Sequence, residues 1–111
     1  NPTAPLLAKL LASATGWSPE IAWWQRAGER IFHLKRAFNN RLGVNRGNDR
    51  IPERLRIPMS NGSMGRTPRM EMLMEEYYAH RDWDWQTGKP SREKLVSLGL
   101  PEIAGDLWQG A

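Results

Sequence analysis

Apolar side chains recur with helical spacing between residues 18 and 43, the longest such pattern in the chain. The apolar positions follow one another at steps of three and four residues, which places them on one face of a helix: Trp24, Ala27, Ile31, Leu34 and Phe38. Ser18 suits the N-cap, Pro19 the first helical position and Gly43 the end of the helix. The pattern predicts a helix roughly 35 Å long, on which other segments pack.

A second helix is predicted before it. A wide apolar stripe runs between an N-cap at Thr3 and a stop at Gly16: Leu6, Leu7, Leu10, Leu11 and Ala14. Pro5 is tolerated because it falls in the opening turn, and Lys9 is the one charged residue. A helix that is apolar over so wide a face is normally buried on most sides.

Two or three short helices are predicted in the C-terminal part of the chain, after residue 66. The pair Thr67-Pro68 suits a helix start, and the buried stripe of that helix would be Met70, Leu73, Met74, Tyr77 and Tyr78. Ser91 can cap a fourth helix that ends at Gly99, and residues 101–108 can add a last turn or two.

Residues 44–66 lack any periodicity and are rich in Asn, Gly and Pro. A stretch of this length without regular structure is either disordered or wraps another surface. We favour wrapping because apolar residues recur along it as possible anchors: Ile51, Leu55, Ile57 and Met59. No stretch alternates as a strand does. The expected fold is all-α, with one long central helix, three or four shorter helices packed on it and a long irregular segment, and residues 1–111 form a single domain.

Composition narrows the chemistry that the chain can perform. The 111 residues include six Trp and no Cys, so disulfides, thiolate metal sites and thiol nucleophiles are excluded. There is no apolar run long enough for a membrane span and no secretory signal. Because the chain starts at Asn1 without Met, we expect a piece of a longer protein.

Positive charge is concentrated in the middle of the chain. Between Arg26 and Arg69 there are eleven Lys or Arg residues against three acidic ones, whereas the flanks are acidic. With Trp23 and Trp24 nearby, this could mean nucleic-acid binding by phosphate neutralisation and stacking. No recognition-helix or RNP-like motif accompanies the charge, so a nucleic-acid partner is the less favoured alternative, beside a protein-interaction module.

No constellation of catalytic or metal-binding residues is evident. His33 and His80 share no metal-ligand spacing and are assigned structural or solvent-exposed roles, while Asp82 and Asp84 are interpreted as turn residues. The remaining polar pattern is specific enough to be a scaffold or a pocket: Glu29, Arg30, Asn39, Arg41, Arg46, Asp49 and Arg54. We expect Glu29 to pair with Arg30. We also expect Asp49, lying among Arg46, Arg50 and Arg54, to pin the irregular segment to the long helix through charge-assisted hydrogen bonds.

The residues of this pattern resemble a known family. The stretch from Gly28 to Leu55 reads GERIFHLKRAFNNRLGVNRGNDRIPERL, and it is similar to the C-terminal helical domain of the tungsten-containing aldehyde:ferredoxin oxidoreductases. The family pattern there is G-E-R-I, then F-N-x-R-x-G-x-x-R, then D-x-x-P-x-R. Downstream, MEEYYAHRDWDWQTGKPSREKLVSLGL resembles the family's E-Y-Y-x-x-R-G-W-D, G-x-P and L-x-x-L-G-L run, with Asp82 in place of the usual Gly. Upstream, LLASATGW is similar too.

The resemblance implies a part in a larger enzyme. Such enzymes oxidise aldehydes to carboxylates at a tungsten or molybdenum held by two pyranopterins, and a 4Fe–4S cluster bound by Cys passes electrons to ferredoxin. Some relatives act on other substrates, such as aromatic acyl-CoA. The cluster ligands, the pterin-binding motifs and the acid–base Glu and His of the family lie upstream, so no catalytic or metal-binding residue is carried onto this chain.

From the resemblance we expect the chain to hold none of these cofactors and to be inactive by itself. Its partners would be the remaining domains of the same enzyme and ferredoxin or a similar electron carrier, in the cytoplasm. The surplus Trp, the apolar first helix and the arginine excess would then face the rest of the enzyme, and the chain would close one side of the cofactor and substrate cavity.

Overall fold

The computed structural model describes residues 3–58 and 66–109, and these residues form five α-helices. The helices are α1 (Ala4–Thr15), α2 (Ile21–Arg41), α3 (Met70–Arg81), α4 (Arg92–Ser97) and α5 (Pro101–Leu107). Two short 3₁₀ turns, Arg46–Asn48 and Glu53–Leu55, interrupt the irregular segment. Within the described residues there is no strand, only an isolated bridge between Trp83 and Pro90. The prediction of an all-α fold is confirmed.

The helix ends follow the sequence signals in some places and not in others. Thr3 caps α1, and Gly16 ends it with a φ of +76°. The predicted start of α2 is wrong: the helix begins at Ile21, and Ser18 instead accepts a hydrogen bond from the Glu20 amide at 3.2 Å. At its other end, Gly43 has a φ of +104° just beyond the helix, as its conformational freedom predicts.

The third helix also begins later than predicted. It starts at Met70 rather than at the Thr67-Pro68 pair, and its N-cap residue Arg69 makes no side-chain capping bond. Of the predicted buried stripe, Tyr78 is the residue that is buried, while Leu73 and Tyr77 are exposed. The prediction that this stripe lies on a helix is confirmed, but little of the described chain covers it.

The polar side of α2 is buried against the rest of the chain, whereas the sequence predicts burial of its apolar side. The face turned towards the rest of the chain, here called the inner face, carries His33, Arg36, Ala37 and Asn40. Of the five residues on the predicted apolar face, Trp24 and Ala27 are half-buried. The other three, here called the outer row, are exposed: Ile31, Leu34 and Phe38. At 3.6 residues per turn, the two sets lie roughly 140° apart around the helix. The prediction that other segments pack on this face of the helix is therefore wrong for the outer row.

Helix α1 shows the same arrangement. Ala8 is its buried residue, and the four leucines predicted to be buried are exposed: Leu6, Leu7, Leu10 and Leu11. In the loop that follows, Trp17 packs against two indoles from the start of α2. Its ring centroid lies 5.5 Å from that of Trp23 and 5.7 Å from that of Trp24. The Trp24 indole N–H donates to the Ser18 carbonyl at 2.7 Å, which holds the connection between the two helices.

The hydrophobic core is small and lies at the C-terminal end. Its buried residues come from α2, α4 and α5: Ala37, Leu95, Ala104 and Leu107. Helix α4 packs chiefly on α5, and α5 in turn packs on α2. The predicted single central helix that carries all the others is therefore not confirmed, although α2 is the longest helix at 21 residues.

The connection between α3 and α4 is tightly turned. Asp82 ends α3 with a φ of +60°, the left-handed conformation that explains why the family pattern has Gly here. Its carboxylate accepts a hydrogen bond from the Ser91 hydroxyl at 2.9 Å, which ties the two ends of the connection together. Asp84 accepts from the amide and hydroxyl of Thr87, both at 2.8 Å, so it acts as a turn residue, as predicted.

The molecule is flat and exposes an unusually large surface. Its principal extents are 52 × 46 × 20 Å and its radius of gyration is 18.1 Å, compared with about 13 Å for a compact domain of this length. The accessible surface is 8426 Å², whereas a compact monomer of this mass exposes about 6,200 Å². No helix in the described part of the chain is both long and apolar enough to cross a membrane.

Candidate functional site

The strongest polar site is built around Arg36 on the inner face of α2. Its Nε donates to the Gly88 carbonyl at 2.9 Å, and its Nη1 donates to Oδ1 of Asp49 at 2.9 Å. Nη2 donates to Oδ2 of Asp49 and to the Tyr78 hydroxyl at 3.1 Å, and that hydroxyl donates in turn to Asp49. This Arg36 cluster joins α2, the irregular segment, α3 and the connection before α4.

The cluster is held in a partly dehydrated environment. The Arg36 side chain is 11% exposed, and its guanidinium lies 4.4 Å from the centroid of the Trp83 ring. Burial by itself would raise the pKa of Asp49, but the hydrogen bonds from Arg36 and Tyr78 lower the pKa below its usual value. Burial and the bond to Asp49 raise the pKa of Tyr78 to about 12. The carboxylate therefore stays ionised and the phenol stays protonated near neutral pH.

Gly88 is required by the close approach of Arg36. Its φ is +76°, and an added Cβ would lie 2.7 Å from Arg36 Nη2 and 2.8 Å from the Arg46 backbone nitrogen. The second of these atoms is backbone and cannot move aside as a flexible side chain can. A side chain at this position would push the connection away from α2 and the irregular segment.

An apolar groove opens over the cluster. Its volume is about 570 Å³, and it is lined by Arg36, Asp49, Arg50, Ile51, Met70, Leu73, Met74, Tyr77, Tyr78 and Trp83. A neighbouring depression shares Ile51 and Met70 and continues past Leu55 and Ile57. Because the polar groups of the Arg36 cluster bond one another, the groove offers apolar contact and shape rather than a free acid or base. The fourth predicted anchor, Met59, lies outside the described residues.

The sequence candidates on α2 are placed as follows. Glu29 does not pair with Arg30; instead it accepts from Arg81 of α3 at 2.7 Å, with Lys94 of α4 at 3.9 Å. Arg30 is exposed. Arg41 pairs with Asp106 of α5 at 3.0 Å, and both side chains are exposed. Asn39 is exposed, and its backbone carbonyl accepts from the Val44 amide at 2.9 Å as the chain leaves the helix.

The candidates in the irregular segment are arranged differently from the prediction. Asp49 pairs with Arg36, not with Arg46, Arg50 or Arg54, so the expected link to the long helix exists but its basic partner was misassigned. Arg46 instead stacks on Trp85, with its guanidinium carbon 3.5 Å from the ring centroid. Arg54 is exposed.

Sequence reasoning missed four members of this site: Arg36, Tyr78, Trp83 and Gly88. The helical spacing places Tyr78 on the stripe of the third helix, but it gives no role to Arg36, Trp83 or Gly88. One signal was available, since Asp49 is one of three acidic residues among eleven basic ones and so had many possible partners. Which partner it takes depends on the path of the irregular segment, which no periodicity reveals.

The two histidines have the structural and solvent-exposed roles predicted for them. His33 is fully buried, with Nδ1 2.8 Å from the Glu29 carbonyl and Nε2 3.4 Å from the Arg81 carbonyl. It therefore lies buried between α2 and the end of α3. His80 is exposed. Among residues 3–58 and 66–109, no three His, Cys, Asp or Glu side chains are grouped so that they could hold a metal ion.

Comparison of the sequence with known families shows which family the chain resembles. A family model described as "Aldehyde ferredoxin oxidoreductase, domains 2 & 3" matches residues 2–100. The chain belongs to the aldehyde ferredoxin oxidoreductase family. Every element that builds the Arg36 cluster and the groove falls within the matched range, so both features are part of the aldehyde ferredoxin oxidoreductase domain rather than additions to it.

Curated relatives agree with this assignment. The chain is 36% identical over 97 residues to a tungsten-containing aldehyde ferredoxin oxidoreductase from Pyrococcus furiosus, and 33% identical to one from Thermococcus kodakarensis. A third, from Pyrococcus abyssi, is 34% identical. Each match covers 85% of this chain and 16% of the relative, so the chain spans about a sixth of the length of these oxidoreductases. No solved structure gives a significant match.

Proposed function

We propose that this chain is the C-terminal helical domain of a tungsten enzyme that oxidises aldehydes to carboxylates and passes the electrons to ferredoxin or a similar carrier. The family match over residues 2–100 carries the proposal. The names of the curated relatives specify tungsten, an aldehyde and ferredoxin. In the whole enzyme, a tungsten or molybdenum bis-pyranopterin would supply the redox chemistry and a 4Fe–4S cluster would carry the electrons.

The chain's own residues do not fit a 4Fe–4S cluster, and two of its candidate carboxylates are not free to bind a metal. A 4Fe–4S cluster is held by Cys thiolates, and the sequence contains no Cys. The carboxylates of Glu29 and Asp49 are committed to Arg81 and Arg36. The proposed contribution is therefore positioning and the exclusion of water, with the metal ligands supplied by the rest of the enzyme.

The Arg36 cluster supports that contribution. It fixes the irregular segment against α2 and α3, and this contact forms one wall of the apolar groove. Four neutral or charge-assisted bonds converge on one guanidinium, so the wall is rigid even though it contains little regular structure. A rigid apolar wall is what the enclosure of a cofactor and substrate cavity requires.

The seven sequence candidates divide into two groups within this proposal. The first group acts as scaffold through the contacts described above: Glu29, Arg41, Arg46 and Asp49. The second group is exposed and stays a set of candidates for contact with the cavity or with the neighbouring parts of the enzyme: Arg30, Asn39 and Arg54.

The test is to produce the full-length protein that contains this chain in cells supplied with tungstate. We expect tungsten and iron in stoichiometric amounts, together with aldehyde-dependent reduction of a viologen dye and of a ferredoxin. The 111-residue chain prepared in the same way should contain neither metal and should reduce neither acceptor. A folded full-length protein that contains no tungsten or molybdenum, or that oxidises no aldehyde, would contradict the proposal.

A further inference from the structure

The outer row of α2 is unusually exposed for a row of large apolar side chains. Ile31 is 58% exposed and Phe38 is 63% exposed, and Leu34 between them is 44% exposed. Leu42, at the end of the helix, continues the row at 70%. The steps of three, four and four residues keep these side chains on one face over about 16 Å of helix. The row thus has the form of the apolar anchors with which a helix enters a groove.

The excess of accessible surface indicates how large an area a partner would cover. The accessible surface exceeds that of a compact monomer of this mass by about 2,200 Å². A standard interface removes only about 800 Å² from each partner, and interfaces of permanent assemblies are larger. The excess therefore matches a permanent interface better than a transient encounter.

The length of the relatives indicates which molecule supplies that partner. This chain corresponds to 16% of each curated relative, so most of such a polypeptide lies outside it. A groove in the same polypeptide needs no second molecule to be present. It is therefore the occupant that the observations favour over a second copy of the chain.

The charges beside the outer row indicate the chemistry of the groove. Arg30 and Lys35 are exposed and lie about 70° to either side of the row around the helix. Neither makes an ion pair within residues 3–58 or 66–109. A groove whose edges carry carboxylates would complement both cations, while its apolar floor received the row.

We propose that the outer row docks into an apolar groove with acidic edges, formed by the part of the same polypeptide that lies outside this chain. Helix α2 is then shared between two bodies. Its inner face holds the Arg36 cluster, and its outer row attaches the domain to the body of the enzyme. The inference rests on the proposed function only in taking the chain to be one domain of a longer oxidoreductase.

Hydroxyl-radical footprinting of the full-length protein tests the proposal directly. The probe oxidises solvent-exposed side chains, and the labelling of Phe38 and Leu34 is compared between the native and the urea-unfolded protein. Since well-packed interfaces are as dense as protein interiors, we expect about tenfold protection of Phe38 in the native protein. Labelling of native Phe38 at a rate that fits the exposure of 63% would overturn the proposal.

A pair of variants separates docking from general damage to the helix. Leu34→Asp places a charge in the middle of the row, and Gln25→Asp places one at an exposed polar position of the same helix. We expect Phe38 to lose its protection in the first variant and to keep it in the second. Unchanged protection in Leu34→Asp would also overturn the proposal, and if that variant is insoluble the native footprint decides the question.

Two further measurements show which molecule covers the outer row and distinguish the docking proposal from the proposed function. Protection that disappears on dilution would mean that a second copy covers the row, and this would overturn the proposal. Tungsten content and aldehyde oxidation are measured on the same preparation. Protected Phe38 in a protein without tungsten or activity would refute the proposed function alone, whereas an active tungsten protein with unprotected Phe38 would refute the docking alone.

Discussion

The inner face and the outer row of α2 belong to one helix but are stabilised in different ways. The inner face buries polar groups, and most of them have partners: Arg36 bonds to Asp49, Tyr78 and Gly88, and the His33 ring bonds to a backbone carbonyl. The exception on this face is Asn40, whose Oδ1 is buried without a partner in the described part of the chain. The outer row stays largely exposed within the described chain, although its residues are large and apolar. Polarity therefore does not tell which side of this helix faces the chain's own core.

Under the proposed docking, part of the stabilising free energy comes from contacts within this chain and part from contacts with the rest of the polypeptide. A buried polar group is tolerated only when it is hydrogen-bonded, and the Arg36 cluster meets that condition without help from outside. Exposed apolar surface contributes stability only when a partner removes it from water. We therefore expect substitutions in the cluster to affect the chain itself, and substitutions in the outer row to affect the assembled protein.

Replacing Arg36 by Met should have the largest effect. The substitution leaves the Asp49 carboxylate partly buried without its cation, and we expect the free energy of unfolding to fall by about 3 kcal/mol. Urea unfolding of the 111-residue chain, followed by circular dichroism, measures the change. Arg30→Met is the matched control, because Arg30 is exposed and its replacement should cost less than about 0.5 kcal/mol. Equal losses in the two variants would break the contrast between the two sides of α2.

Replacing Gly88 by Ala should have the next largest effect. The new Cβ would meet Arg36 Nη2 and the Arg46 backbone in addition to adopting a strained φ of +76°, and we expect a loss of about 2 kcal/mol. Gly43→Ala separates the two causes, since Gly43 has a φ of +104° with nothing within 4 Å of the added Cβ. Its loss should be about 1 kcal/mol, from strain alone. A loss in Gly88→Ala no greater than in Gly43→Ala would show that the cluster is not tightly packed.

Replacing Tyr78 by Phe should have a smaller effect that depends on pH. Loss of the hydroxyl that donates to Asp49 should cost about 1 kcal/mol at pH 8. The pKa of Tyr78 is raised from 10.0 to about 12 in the folded chain, so its contribution is complete below pH 10 and is lost as the pH rises towards 12.

Urea midpoints measured between pH 8 and pH 11.5 should therefore fall more steeply for the wild type than for Tyr78→Phe. Tyr77→Phe is the control, because the Tyr77 ring is 41% exposed and is not part of the Arg36 cluster. It should keep both the stability at pH 8 and the steep alkaline fall. Parallel pH profiles for the wild type and Tyr78→Phe would remove Tyr78 from the cluster.

Replacing Leu34 by Ala should have the smallest effect on the chain alone. Because Leu34 is exposed, we expect a change within about 0.5 kcal/mol in the 111-residue chain. In the full-length protein the same substitution should lower the thermal midpoint, since there the side chain would be covered. Leu95→Ala, at a fully buried position, should cost about 3 kcal/mol in the chain itself. If Leu34→Ala were as costly as Leu95→Ala in the chain, the outer row would belong to the chain's own core.

The sequence by itself determined the helical class, most of the helix positions and the family. Periodic apolar residues predict α1, α2 and α3 because helical geometry is local, and Thr3, Gly16, Gly43 and Ser91 act at the helix ends for equally local reasons. Motif spacing from Gly28 to Leu55 was enough to indicate the family that the comparison then showed. Each of these inferences depends on residues close together in the chain.

The tertiary structure alone decided which face of α2 points inward and which cation holds Asp49. Both depend on contacts between residues far apart, such as Arg36 with Gly88, whose geometry follows from the path of residues 44–58 and not from any repeat. An apolar stripe shows that something will cover a helix, but not whether the cover lies in the same domain. Since hydrophobic burial has no direction or preferred partner, the sequence could predict the stripe and still assign it to the wrong surface.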